Sequence, residues 1–151
     1  MTQLIVKEVY LASDHAGFDL KKKIKKFLKK INIKNFDLGC FNKNSVDYPD
    51  YAKKVAYKVK KNSGMGLIIC GSGIGMSISA NRFNNVRAAL CSSLKMAILA
   101  RKHNNANILC LGARFINFDK CKKIVKIFFS TEFEGGRHLT RIKKLDKKNA
   151  K

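Results

Sequence analysis

The stretch Gly66-Leu67-Ile68-Ile69-Cys70-Gly71-Ser72-Gly73-Ile74-Gly75 constrains this chain more than any other. An apolar run ends in a cysteine, after which glycines alternate with small residues. The run is too brief and too glycine-bounded for a buried helix and predicts a short, fully buried strand. The glycines supply backbone freedom without a Cβ penalty. Met76 to Phe83 then fits a helix. Strand, Gly-rich turn and helix N-terminus together present unpaired N–H groups at the positive end of a helix dipole, which favours an anion.

The same alternation recurs along the chain. Val9 to Ala12 predicts a buried strand ending at Ser13-Asp14-His15-Ala16-Gly17. Leu20, Ile24, Phe27, Leu28 and Ile31 then fall on one helical face, with seven lysines between Lys21 and Lys30 mostly on the other, a solvated face. Phe36 and Leu38 mark a second strand, ended by Gly39. Asp47-Tyr48-Pro49-Asp50 opens a helix, with Asp47 as N-cap, Pro49 in the first turn and Asp50 complementing the dipole. Its buried stripe is Ala52, Val55, Ala56 and Val59. Val86 to Cys91 predicts a fourth strand, and Ser92-Ser93 caps a helix to about Lys102. Ile108 to Leu111 is a fifth strand; Asn117 or Asp119 caps a helix through Phe129, and a basic C-terminal helix begins near Arg137.

Five strands alternating with helices, without hairpin signals or repeats, predict an α/β fold. The expectation is a Rossmann-like three-layer sandwich: a five-stranded parallel sheet in the order 2-1-3-4-5, with helices on both faces. Residues 1–151 form a single domain, with 1–7 as a loose N-terminal extension and 145–151 as a lysine-rich tail. Ligands of such sheets sit beyond the carboxyl ends of the strands where strand order reverses, here between strands one and three. Asp14-His15 and Cys70 to Gly75 therefore meet there.

The formal net charge is +22. Charge on that scale raises nucleic-acid binding. The lysines are spread over the predicted helices, Met76 to Phe83 excepted, which matches a general bias of composition and not a concentrated binding face. No aromatic-interleaved basic patch suggests an RNA-stacking platform. No signal-peptide pattern and no apolar run near a membrane span is evident. Five cysteines, an odd number without metal-ligand spacing, argue for reduced thiols and a cytoplasmic setting.

The Gly-rich turn lacks the Gly-Lys-Ser/Thr of a Walker A motif, and its G-x-G-x-G spacing departs from the dinucleotide fingerprint. A small anionic intermediate suits it better than a nucleotide. Free cysteine packs as a small hydrophobe, but Cys70 at a strand end beside a helix N-terminus is placed to act as base or nucleophile. Asp14-His15 reads equally as a local turn pair. His103-Asn104-Asn105 reads as a polar helix end, and Arg137, Arg141 and Lys144/Lys148 share one helix face that is solvated or a phosphate clamp.

Together the segments resemble ribose-5-phosphate isomerase type B, in the group that includes galactose-6-phosphate and allose-6-phosphate isomerases. The resemblance rests on Ser-Asp14-His15-Ala-Gly-Phe, Asp47-Tyr48-Pro49, Ile-Cys70-Gly-Ser-Gly-Ile-Gly, His103-Asn104-x-x-Asn107, Gly112-x-Arg114 and Glu134-Gly-Gly-Arg137-His138-x-x-Arg141, in that order from Val9 to Lys144. It implies a metal-free, cofactor-free interconversion of D-ribose 5-phosphate and D-ribulose 5-phosphate through an enediolate, in the pentose phosphate pathway. By motif position Cys70 is the base, Gly71, Ser72, Gly73, Ile74 and Gly75 cradle the developing oxyanion, and His103 opens the furanose ring. Asp14, His15, Asn104, Arg114, Arg137 and Arg141 hold sugar hydroxyls and phosphate. One branch of the family carries a glutamate base where this chain has Gly75; the cysteine at 70 places the chain in the other. A neighbouring hexose 6-phosphate is the alternative substrate, and a basic nucleic-acid-binding module the alternative from another class.

Topology adds an expectation. The helix after strand four starts at the carboxyl edge and runs about ten residues, roughly 15 Å, to the opposite edge. His103 cannot reach back to Cys70 within one chain. If His103 opens the ring, as the resemblance implies, it must come from a second subunit of a two-fold homodimer. The resemblance likewise implies a homodimer or tetramer with sites shared between subunits.

Overall fold

The computed structural model describes residues 4–61 and 64–146. The lysine tail beyond 146, including Lys148, lies outside the described residues. The elements run β1 (Glu8–Ser13), α1 (Phe18–Lys30), β2 (Lys34–Asp37), α2 (Tyr48–Lys61), β3 (Met65–Cys70), α3 (Ile74–Ala80), β4 (Ala88–Leu90), α4 (Leu94–Asn104), β5 (Ile108–Gly112), α5 (Phe118–Phe128) and α6 (Arg137–Asp146). All strand pairings are parallel.

The α/β class and the switch point between β1 and β3 are as expected. The order is β2-β1-β3-β5-β4, so the last two strands are exchanged relative to the expected 2-1-3-4-5. Burial accounts for the exchange. Every residue of β5 is buried, whereas the three residues of β4 are only partly so, and Arg87 precedes them. A continuously apolar strand belongs inside a sheet covered on both faces, and a short, less apolar one is tolerated at its edge.

Alternation along each strand sends side chains to two cores. Val9, Leu11, Leu67, Ile69, Leu109 and Leu111 meet Leu20, Ile24 and Leu28 of α1, Ala97 and Ala100 of α4, and Ile124, Val125 and Phe128 of α5. Tyr10, Ala12, Ile68, Cys70, Ile108 and Cys110 meet Ala52, Val55, Ala56 and Val59 of α2 and Met76 and Ala80 of α3. Each fully buried Leu or Ile contributes roughly 1.5–3 kcal/mol. Capping follows the sequence: Ser93 Oγ accepts from the Met96 N–H at 3.2 Å, and Asn117 Oδ1 from the Lys120 N–H at 2.9 Å. At the start of α2 the Asp47 carbonyl accepts from the Asp50 N–H at 3.3 Å.

Two expectations change. Of the N-terminal extension, residues 4–7 are tied down: Val6 is buried, and the Ile5 N–H donates to the Phe129 carbonyl at 3.1 Å. One of the seven α1 lysines is not solvated. Lys21 is fully buried and donates to Asp37 Oδ1 at 2.6 Å and to the Cys40 carbonyl. Burial pushes its ammonium below the ordinary lysine value, opposed by Asp37. Burial pushes the Asp37 carboxyl up, but hydrogen bonds from Lys21, Lys25 and the Gly39 N–H hold it below its ordinary value overall.

Candidate active site

At the carboxyl edge of β1 and β3 the chain turns twice in close quarters. The Asp14 N–H donates to the Ile69 carbonyl at 3.1 Å, tying the end of β1 to β3. Asp14, itself buried, accepts from the Gly17 N–H at 2.9 Å and so closes the turn into α1. His15 Nδ1 accepts from the Val46 N–H at 3.2 Å, which orients the ring. Both residues of the pair are thus held locally, as a turn pair would be, and both flank the switch point.

Cys70 is the last residue of β3, and its Sγ accepts the Gly73 N–H at 3.0 Å. Gly73 has φ +80°, a left-handed conformation that glycine adopts freely, and a Cβ there would also strike Leu90 and the Leu111 backbone. Its carbonyl accepts from the Cys110 thiol at 2.9 Å, and Ser72 Oγ accepts from the Ile74 N–H at 3.2 Å. Burial pushes the Cys110 thiol well above its ordinary value, so it stays protonated and donates. The Arg114 guanidinium lies against the Gly71 Cα, and the Tyr48 ring against the Gly75 Cα. Both approaches need the missing Cβ. The helix that follows begins at Ile74, two residues earlier than expected, and has seven residues. The loop's own N–H groups therefore matter more for an anion than the dipole of so short a helix.

The remaining candidates lie elsewhere. His103 and Asn104 end α4 and precede the amino end of β5, where Gly66 of β3 pairs with Ile108. Cys70 pairs with Gly112 at the other end. Five residues of strand separate the two edges, roughly 13 Å along the sheet. Arg137 and Arg141 share the amino edge, because the His138 ring stacks on His103 with centroids 4.3 Å apart and the Glu134 N–H donates to the Lys102 carbonyl at 3.1 Å. Asn104, Arg114, Arg137 and Arg141 are exposed. Within one chain, then, Asp14, His15, Cys70 to Gly75 and Arg114 form one group, and His103, Asn104, Arg137 and Arg141 a second.

Two neighbours of these groups were not singled out as site residues. Tyr48 covers Gly75, and its signal is the Asp47-Tyr48-Pro49 turn at a helix start. His138 stacks on His103 and is buried, with an Nε2 that meets no partner among the described residues. Its only signal is its place beside Arg137. Burial holds His138 below the ordinary histidine value, followed by the effect of His103 and of Arg137. Ligand atoms of His103, Glu134 and His138 lie within 4.8 Å of one another, a spacing open to a metal ion. Arg137 and Arg141 act on the same histidine, and that concentration of positive charge suits an anion better.

Fold and site together define a doubly wound α/β protein with a thiol and a Gly-rich turn at its switch point. A family model described as Ribose/Galactose Isomerase matches residues 9–145, and the chain belongs to that family. It is 38% identical over 138 residues to the ribose-5-phosphate isomerase B of Escherichia coli, covering 91% of this chain and 93% of that protein. Among solved structures, a ribose 5-phosphate isomerase from Thermotoga maritima superposes with a TM-score of 0.90 at 51% identity, covering 92% of this chain and 97% of that one. Ribose 5-phosphate isomerase B from Anaplasma phagocytophilum gives 0.91 at 48% identity, with 95% and 99% covered.

Proposed function

We propose that this chain is an aldose–ketose isomerase that interconverts D-ribose 5-phosphate and D-ribulose 5-phosphate in the pentose phosphate pathway. The observation that carries the reading is Cys70 at the end of β3, its sulfur accepting the Gly73 N–H at 3.0 Å, with Arg114 lying over the same loop. The sulfur already serves as an acceptor, the role a base must play.

In this reading His103 donates a proton to the ring oxygen while the C1 hydroxyl gives its proton to water, so the C1–ring-oxygen bond breaks and the furanose opens to the aldehyde. The Cys70 thiolate takes the proton from C2, and the C2–H electron pair moves to the C1 carbonyl, giving an enediolate. In the Gly71 to Gly75 loop the Gly73 N–H is held by Cys70 Sγ and the Ile74 N–H by Ser72 Oγ. The other N–H groups of the loop and the Ser72 hydroxyl are assigned to the charge as it grows on oxygen, where preorganised donors act most strongly. The Cys70 thiol then returns its proton to C1, and a proton passes from the C2 oxygen to the C1 oxygen. Asp14, His15 and Asn104 bind hydroxyls. Arg114, Arg137 and Arg141 bind phosphate through paired N–H donors. Every step is a proton transfer, so the proposed reaction needs no cofactor or metal.

The same reading requires two subunits, since the groups at the two edges must meet. A two-fold homodimer, alone or within a tetramer, supplies two equivalent sites. Its interface has a candidate in the apolar side chains exposed near the carboxyl edge: Ile74 at 54%, Ile78 at 53%, Met96 at 42% and Phe115 at 72%. Five free, buried thiols are in keeping with a cytoplasmic enzyme. Among the described residues no helix is long and apolar enough to cross a membrane.

The test is an isomerase assay with D-ribose 5-phosphate, D-galactose 6-phosphate and D-allose 6-phosphate. Turnover highest on the pentose supports the assignment. Preference for a hexose phosphate would shift it within the family, and no turnover on any of the three, joined to tight nucleic-acid binding at physiological salt, would replace it.

A further inference from the structure

Helix α6 is an arm held at few points. It follows Gly135 and Gly136, both at positive φ, +72° and +53°, with open space around their Cα atoms. Along its length only His138 and Ile142 are buried. Its last residue is Asp146, and there the arm meets the body through a charge pair. Arg87 Nη1 donates to Asp146 Oδ1 at 2.7 Å and to Oδ2 at 2.8 Å, with both side chains largely shielded.

Arg87 is itself fixed from behind. Its backbone N–H donates to Asn107 Oδ1 at 2.8 Å, and its carbonyl accepts from the Asn107 N–H at 3.0 Å. Its Nε donates to the Asn105 carbonyl at 3.2 Å. Asn105 caps α4 in a left-handed conformation and is gripped on its other side by the buried Arg101, whose Nη1 donates to Asn105 Oδ1 at 2.9 Å and to the Ala106 carbonyl at 2.6 Å. Arg101 Nε also donates to the Thr131 carbonyl at 3.1 Å, at the start of the segment leading to the glycine hinge. One continuous chain of hydrogen bonds, Thr131–Arg101–Asn105–Arg87–Asp146, thus joins the end of the helix bearing His103 to the far end of the helix bearing Arg137 and Arg141.

We infer that Arg87 and Asp146 are positioning residues for phosphate: they latch the far end of α6 so that Arg137 and Arg141 are held at the site and do not swing about the Gly135-Gly136 hinge. This rests on the proposal that those two arginines hold the substrate phosphate. Neither Arg87 nor Asp146 touches substrate. Without the latch, the buried anchors of the arm among the described residues are His138, in its stack, and Ile142, and ordering it on binding costs affinity. The predicted signature is a loss of phosphate binding with the chemistry spared, because preorganisation of a remote binding group affects ground and transition states alike.

The experiment compares Asp146→Ala, Asp146→Glu and Arg141→Ala in the full chain. Steady-state kinetics on D-ribose 5-phosphate, inhibition by inorganic phosphate, and hydrogen exchange of residues 137–145 are measured. Asp146→Ala should raise KM and the phosphate inhibition constant about tenfold, roughly one decade of affinity, with kcat within about twofold. Exchange across α6 should quicken while the sheet is unchanged, and Asp146→Glu should recover most of the affinity. If Arg141→Ala weakens phosphate and Asp146→Ala does not, the latch is wrong and the phosphate assignment stands. If Arg141→Ala has no effect either, the assignment itself has failed. A fall in kcat matching the rise in KM, or faster exchange throughout the sheet, would make the pair a structural bridge and overturn the inference. Were the chain inactive on D-ribose 5-phosphate, calorimetric titration with inorganic phosphate would still read the latch.

Discussion

The two edges of the sheet carry the two groups of candidate residues and are built by different means. At the carboxyl edge, positions are set by backbone: strand ends, turns closed by N–H donors, and glycines that admit Arg114, Tyr48 and the Gly73 turn. At the amino edge they are set by side chains: a histidine stack and two arginines that bond helix ends. A strand end inside a buried sheet is rigid because its alternatives leave polar groups unpaired. A helix end tied by side chains keeps an accessible open state. In the proposed reaction the base, with Asp14, His15 and Arg114, falls where geometry is fixed, and Arg137 and Arg141 fall where the structure can yield.

The largest effect that would sharpen this contrast is at Cys70. Cys70→Ala should lower kcat by ~10²–10⁴-fold, the usual contribution of a positioned base, while inorganic phosphate still binds. Near-normal turnover would leave Cys70 a packing residue. Selective alkylation would test the same reading: Cys70 should react with iodoacetamide, while Cys91 and Cys121, with burial pushing both thiols up to about 12, should resist it.

Complementation separates one edge from the other. Chains carrying Cys70→Ala mixed with chains carrying His103→Ala give mixed dimers in about half of cases, each with one intact site of two, so activity should recover to about a quarter. No recovery, with subunit exchange shown by mass spectrometry, would mean that each chain carries a complete site.

Next is the buried pair under the carboxyl edge. Asp37→Ala strands the Lys21 ammonium, whose side chain is 1% exposed, and should cost about 3 kcal/mol by urea unfolding. Lys21→Met should cost far less, since it removes the charge along with its need for a partner. Equal losses would mean that the pair contributes by packing.

The smallest effect is one of pH at the amino edge. His138 is held below its ordinary value of 6.5 by burial first, then by His103 and the arginines, against a raising effect of Glu134. Above 6.5 both folded and unfolded chains carry the neutral ring and the stack contributes fully. As pH falls through that value the unfolded chain takes up the proton first, so stability declines. Thermal melts of wild type and His138→Asn from about pH 7.5 to about pH 5 should converge toward acid. Parallel curves would show that His138 does not titrate between the states.

What was legible in the sequence follows the same division. The cradle from Gly66 to Gly75 could be read because local residues decide it, and strand ends locate themselves once the alternation is seen. The exchange of β4 and β5 could not, because it depends on which of two apolar segments is buried on both sides, a global competition. Lys21 was hidden because its partner, Asp37, is sixteen residues away on another element. Arg87 was invisible for the same reason: its carboxylate lies 59 positions further on. His103 could be placed at the opposite edge because helix length alone carries it there.

The place of β5 between β3 and β4 also bears on how the chain assembles as it is synthesised. Strand β3 pairs with β1 on one side and β5 on the other, and β5 begins only at Ile108. When a ribosome has released residues up to about 105, β3 is complete but one whole edge of it is unpaired, and β4 has no neighbour at all. An open, apolar parallel edge of this kind invites pairing with other chains. The interval between release of β3 and release of β5 is therefore when a newly made chain is most exposed to aggregation, and a synonymous change that slows translation between α3 and β5 would lower soluble yield without altering a residue.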